Sequence, residues 1–182
     1  STYTDLNGDG QIDDSDRISA GSAVPDILYA FYLKFKYKNF DLGLNFNGVS
    51  GNEIYNHTRM SLFNKTQLSN SLNTTDQAIE FANEDPSNTN TVSTRFLENG
   101  AFLRLNNATL AYSLNPQVIG MDKWLDNVRL SVTGQNLFII TDYTGFDPEL
   151  NTGSSTDSKS YGIDYYTYPK ARTVVFGLNV SF

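Results

Sequence analysis

Residues 172–182 read Arg-Thr-Val-Val-Phe-Gly-Leu-Asn-Val-Ser-Phe, and this stretch governs how the rest is read. Val174, Phe176, Leu178, Val180 and Phe182 fall on one parity, and Thr173, Val175, Gly177, Asn179 and Ser181 on the other. Successive side chains of a strand point to opposite faces, so one face is apolar and the other small or polar. Two architectures produce such a strand. In a soluble sheet the apolar face packs on a core. In a transmembrane β-barrel it meets lipid, with the polar face toward the lumen.

Four more strands can be read outward from this one. In Ile27 to Lys38, Tyr29, Phe31, Leu33, Phe35 and Tyr37 share a face, opposite Ala30, Tyr32, Lys34, Lys36 and Lys38. Lys38-Asn39 makes a tight turn into Phe40, Leu42, Leu44 and Phe46, which alternate with Asp41, Gly43, Asn45 and Asn47, so the pair is a hairpin. Tyr37 and Phe40 flank the turn as an interfacial aromatic girdle does. Ala101 to Leu114 is a strand whose parity slips between Leu103/Leu105 and Ala108/Leu110/Tyr112, which predicts a bulge near Asn106-Asn107. Val128, Leu130 and Val132 open a fourth strand that runs to about Ile140.

The connections between these five strands alternate: short at 38–39, long at 49–97, short at 115–126, long at 141–168. Outer-membrane barrels have short periplasmic turns and long extracellular loops. With a periplasmic C-terminus, both long loops and the N-terminal segment fall outside the cell. A soluble sandwich has no reason to alternate in this way. The expected fold class is all-β, an antiparallel transmembrane barrel segment of about five strands with long extracellular loops.

Composition agrees. The 182 residues carry 12 Phe and 11 Tyr, with no cysteine. That excludes a disulfide scaffold, a thiolate metal site and a cysteine nucleophile. A net charge of −7 argues against nonspecific nucleic-acid binding. No apolar run approaches the length of a membrane helix, and no signal peptide opens the chain. The start at Ser1 reads as mid-loop.

Residues 5–16, Asp-Leu-Asn-Gly-Asp-Gly-Gln-Ile-Asp-Asp-Ser-Asp, match the ligand spacing of a calcium loop. Asp5, Asn7, Asp9, Gln11 (through its carbonyl), Asp13 and Asp16 are the predicted ligands, and Gly10 permits the sharp turn. Asp16 is shorter than the usual bidentate Glu, and flanking helices have no room, so a structural calcium ion is expected rather than a sensor. The alternative is a solvated acidic turn.

The long segment 49–97 shows one short helix signal, around Thr75–Ala82, and otherwise no sustained periodicity. Its His57 has nothing to orient it for a Ser-His-Asp arrangement, and there is no phosphate-cradling glycine motif, so no catalytic residue is assigned and the protein is not expected to be an enzyme. Loop aromatics Tyr143, Phe146, Tyr161, Tyr165 and Tyr166 are candidates for contact with cargo or a partner.

The chain also resembles the C-terminal part of the SusC/RagA-type TonB-linked outer-membrane transporters of Bacteroidota. The resemblance runs in order through Asp5–Gly10, Lys38–Leu42, Gly51–Asn56, Asn99–Leu105, Gly134–Phe138, Tyr143–Glu149, Gly162–Asp164, Tyr168-Pro169 and the last strand to Phe182. It implies a single unit over 1–182, with an extracellular calcium-motif loop at 1–26 and five strands with their loops at 27–182. It implies a nutrient importer of glycans or peptides, built as a barrel of about 22 strands around a plug. The remainder of the barrel and the plug, on the same or another chain, a SusD-like lipoprotein lid, the TonB complex and outer-membrane lipid are the implied partners. Phe182 resembles the terminal aromatic signal read in barrel assembly. The competing reading is a soluble extracellular calcium-stabilised β-module that binds glycan or protein.

Overall fold

The structure, a computed structural model, describes residues 3–64, 73–81, 83, 92–150 and 161–182. In chain order its elements are β1 (Ile27–Tyr37), β2 (Phe40–Ser50), β3 (Glu53–Asn56), α1 (His57–Phe63), α2 (Asp76–Glu80), β4 (Leu97–Asn99), β5 (Phe102–Leu114), β6 (Asn127–Thr141), β7 (Ile163–Asp164) and β8 (Thr173–Ser181). They divide into two compact units. A sheet unit comprises 25–51, 100–143 and 168–182, and a loop unit comprises 1–24, 52–99 and 144–167.

The sheet unit is one antiparallel sheet in the order β1-β2-β5-β6-β8. The five strands are those expected from alternation, within a few residues at each end. β1 and β2 pair from Ile27↔Ser50 to Tyr37↔Phe40, and Lys38 takes a positive φ of 52° in the two-residue turn. The expected bulge lies at Asn106, where the β2–β5 register steps from Asn45↔Asn107 to Phe46↔Leu105. It restores Leu103 and Leu105 to the face of Ala108, Leu110 and Tyr112. The second short connection holds a 3-10 turn over Pro116–Ile119 that ends on left-handed Gly120. Gly48 admits a close approach: a Cβ there would strike the Phe102 carbonyl and the Tyr29 ring.

The loop unit departs from expectation. The 49–97 segment, read as largely aperiodic, folds into β3, α1, α2 and β4. The predicted helix around Thr75–Ala82 is α2, and Ala82 lies outside the described residues. β3 pairs antiparallel with β4 and parallel with β7, so a second sheet of order β4-β3-β7 joins the two long connections. Asn56 caps α1, its side-chain oxygen accepting from Arg59 N. α1 then sets Met60 and Phe63 against Ala78 and Phe96, with Tyr55 alongside, as a small core. Arg95 lies over both Phe63 and Phe81.

Candidate functional site

The sheet has two faces of opposite chemistry. Strand register aligns the apolar side chains in rows. Tyr37, Phe40, Tyr112, Leu130 and Leu178 make one; Phe35, Leu42, Leu110, Val132 and Phe176 the next; Leu33, Leu44, Ala108, Gly134 and Val174 the third. Phe31, Phe46, Leu105 and Phe138 follow, with Phe31 stacked on Phe46 at 4.7 Å. Phe40 meets Tyr112 at 4.7 Å at the turn end. Many of these residues are large and exposed, toward β1 and β8 above all: Phe35 is 55% exposed, Leu178 66% and Phe176 82%. In water such a surface is strongly unfavourable, at about 25 cal/mol per Å² of apolar area.

The opposite face is polar. Its rows include Lys36, Asp41, Ala111, Ser131 and Gly177, then Lys34, Gly43, Thr109, Thr133 and Val175, then Tyr32, Asn45, Asn107, Gln135 and Thr173. Arg129 Nη1 donates to Asp41 Oδ2 at 2.9 Å, and the Thr109 and Thr133 hydroxyls meet at 2.9 Å.

In the loop unit, two buried carboxylates tie distant segments together. Glu98, its side chain only 9% exposed, accepts from Arg59 Nη1 at 2.9 Å, Asn56 Nδ2 at 3.1 Å and Thr144 N at 2.8 Å. Asp164, fully buried, accepts from the Thr58 hydroxyl and from Thr167 N, each at 3.1 Å. The Thr58 oxygen in turn accepts from Tyr166 N at 2.7 Å. Sequence reading had no signal for Glu98, because a lone acid in a polar loop has no spacing that marks it as buried. Asp164 was marked only through the Gly162-Ile163-Asp164 resemblance.

The candidate aromatics separate. Tyr165 and Tyr166, both exposed, pack on each other at 5.1 Å and on half-buried His57 at 4.7 and 6.4 Å. Phe146 and Tyr161 are also exposed, and Tyr143 is buried. Burial lowers the His57 pKa from its ordinary value, opposed by the charge of Asp164. The Nδ1 of His57 sits 3.4 Å from Ser61 Oγ, while Asp164 accepts from Thr58 and Thr167.

The predicted calcium ligands form a tight loop with Gly8 and Gly10 at positive φ. Asp5 accepts from Gly8 N and Gly10 N, Asp9 from Gln11 N, and Asp16 from Leu6 N and Asp13 N. Those amide hydrogen bonds, from Asp13 and Leu6 foremost, lower the Asp16 pKa. A carboxylate oxygen with one lone pair used can still bind a hard cation with another, so Asp5, Asn7, Asp9, Asp13 and Asp16 retain free donor positions. Among the described residues no three acidic or histidine side chains converge as a group that could hold a metal ion.

No family model matches the chain. Over 99% of its length it is 36% identical to TonB-dependent receptor P3 of Formosa agariphila. It is 31% identical, again over 99%, to TonB-dependent receptor SusC of Bacteroides thetaiotaomicron. It spans 19% of the first and 17% of the second, about a fifth of the length of these relatives. A solved structure of the RagAB peptide transporter superposes with a TM-score of 0.73 at 25% identity, covering 94% of this chain and 19% of that one.

Proposed function

Starting from what sequence and fold make this chain, a barrel segment of the SusC/RagA type, we propose that it forms five adjoining wall strands of a TonB-dependent outer-membrane importer. The apolar rows face lipid and the polar rows face the lumen. The observation that carries this reading is the uncovered apolar face, with Phe176 and Leu178 mostly exposed and several aromatic residues beside them. Lipid makes that face favourable. The sheet is open in this chain, and unpaired edges are not tolerated in hydrocarbon, so further strands must pair with β1 and β8.

Import driven by TonB, a SusD-like lipoprotein partner and a cargo of peptides or glycans are proposed from the relatives. Peptide is favoured by the likeness to the RagAB peptide transporter. Tyr165, Tyr166 and His57 supply an aromatic surface suited to either cargo or lid. Calcium at Asp5, Asn7, Asp9, Gln11, Asp13 and Asp16 would brace the N-terminal loop. The similarity to TonB-dependent receptors supports a transporter rather than an enzyme.

Fractionation of cells that make the full-length protein tests the reading. It is expected in the outer membrane, extractable only with detergent, and heat-modifiable on gels. Recovery in soluble form without detergent would replace it with a secreted β-module.

A further inference from the structure

The apolar face is not level. Near the turn end, across β5, β6 and β8, it carries a furrow of about 440 Å³, lined by Tyr112, Leu130, Val132, Phe176 and Leu178, with Phe40 on its β2 side. Side-chain size makes the relief. Phe40 and Tyr112, in ring contact at 4.7 Å, form one wall, and Phe176 forms the other. The shorter Leu130 and Val132 lie between them on β6. The registers put these residues in two adjacent rows, about 7 Å apart along each strand.

Charge and amphipathic rings mark the outer end of the furrow. Lys38 takes the positive φ of the β1–β2 turn, two residues before Phe40, and its Nζ lies over the Tyr37 ring, 5.4 Å from the centroid. Tyr37 belongs to the apolar face, so its ring holds the ammonium on the lipid side of the turn. Among the described residues Lys38 has no carboxylate partner. In the β5–β6 turn at the same end, Trp124 and Lys123 are both exposed. Tyr, Trp and Lys, each with an apolar body and a polar tip, collect where hydrocarbon gives way to headgroups. That level is therefore the turn end, and the furrow runs from it into the hydrocarbon band.

We propose that the furrow seats an acyl chain of one phospholipid from the leaflet on the turn side, with Lys38 binding its phosphate. The inference rests on the barrel reading above, and adds a selective lipid site to a face that reading leaves in uniform contact with lipid. Continuity with the lipid-facing rows selects a hydrocarbon chain as the occupant. The Lys38 ammonium at the outer end selects an anionic head. A phospholipid carries both on one molecule.

Photo-crosslinking of the full-length protein, in nanodiscs doped with phosphatidylglycerol that carries a mid-chain diazirine, tests the site. Peptide mass spectrometry reads where the label falls. It should be several-fold denser at Tyr112, Leu130, Val132 and Phe176 than at Phe35, which stands in the row of Val132 and Phe176 but outside the furrow. A fatty alcohol with the same diazirine chain, at equal mole fraction, should label the furrow several-fold less. Lys38→Gln should bring the phospholipid down to the level of the alcohol. Val132→Trp should clear the label from the furrow, and both variants should keep the heat-modifiable band. Even labelling of the furrow and Phe35 overturns the proposal, because the furrow then holds only bulk lipid. So does equal labelling by alcohol and phospholipid that Lys38→Gln leaves unchanged, which would make the furrow an unselective apolar surface. Failure of the unsubstituted protein to insert, with no heat-modifiable band, would instead bring down the barrel reading and the site with it.

Discussion

Replacing Leu44 with arginine places a charge on the apolar face near its mid-height. The registers give six apolar rows, from Leu114/Val128/Val180 at one end to Tyr29/Gly48/Leu103/Ile140 at the other. Rows are about 7 Å apart along a strand, and barrel strands tilt by about 40°, so each row adds about 5 Å of height. Five spacings then give about 25 Å, the height of the apolar band of an outer-membrane barrel. Leu44 belongs to a middle row and Leu178 to the row next to the turn end. Leu44→Arg should cost about 2–4 kcal/mol and Leu178→Arg about 1 kcal/mol. Asn45→Arg, one residue away on the polar face, should stay within about 0.5 kcal/mol. At about 3 kcal/mol the folding constant falls by a factor of about 150. Reversible urea unfolding of the full-length protein in phospholipid vesicles measures all three. Equal costs for Leu44→Arg and Asn45→Arg would refute the assignment of faces.

Glu98→Gln removes the charge that Arg59, Asn56 and Thr144 share, and should destabilise the loop unit by about 1–3 kcal/mol, seen as faster proteolysis within 52–99 with the sheet unchanged. His57 has a lowered pKa because burial disfavours its charged form. The unfolded loop therefore binds its proton more tightly, and loop-unit stability should fall as pH drops through about 6.5 and level off below the folded value. His57→Gln should flatten that slope in hydrogen-exchange measurements, and an unchanged slope would assign it elsewhere. Asp5→Ala with Asp9→Ala, or a chelator on the unsubstituted protein, should speed cleavage within residues 1–26. Identical digestion patterns would dismiss the calcium ion.

The long strands, nine to fifteen residues each, were legible because alternation holds over most of their length. A single parity slip was enough to place the bulge at Asn106. β3, β4 and β7 were not legible. They are two to four residues long, too short for periodicity to register, and Tyr55 finds its partner at Ile163. α1 was missed for a related reason: seven residues make two turns, and its strongest signal is the cap at Asn56 rather than a stripe. The aromatic candidates followed from composition alone, which could not separate buried Tyr143 from exposed Tyr165 and Tyr166.

The β3–β7 pairing has a kinetic consequence. Tyr55 and Ile163 are more than a hundred residues apart, and two short strands cannot offset the entropy of closing so large a loop in a free chain. Once β2, β5 and β6 have zipped, Val49, Phe102 and Thr141 are neighbours and most of that closure has already occurred. The β4-β3-β7 sheet should therefore form late, after the long strands are in register. A protease site or an epitope masked by that sheet would then report, during biogenesis, that the five-stranded sheet has finished folding.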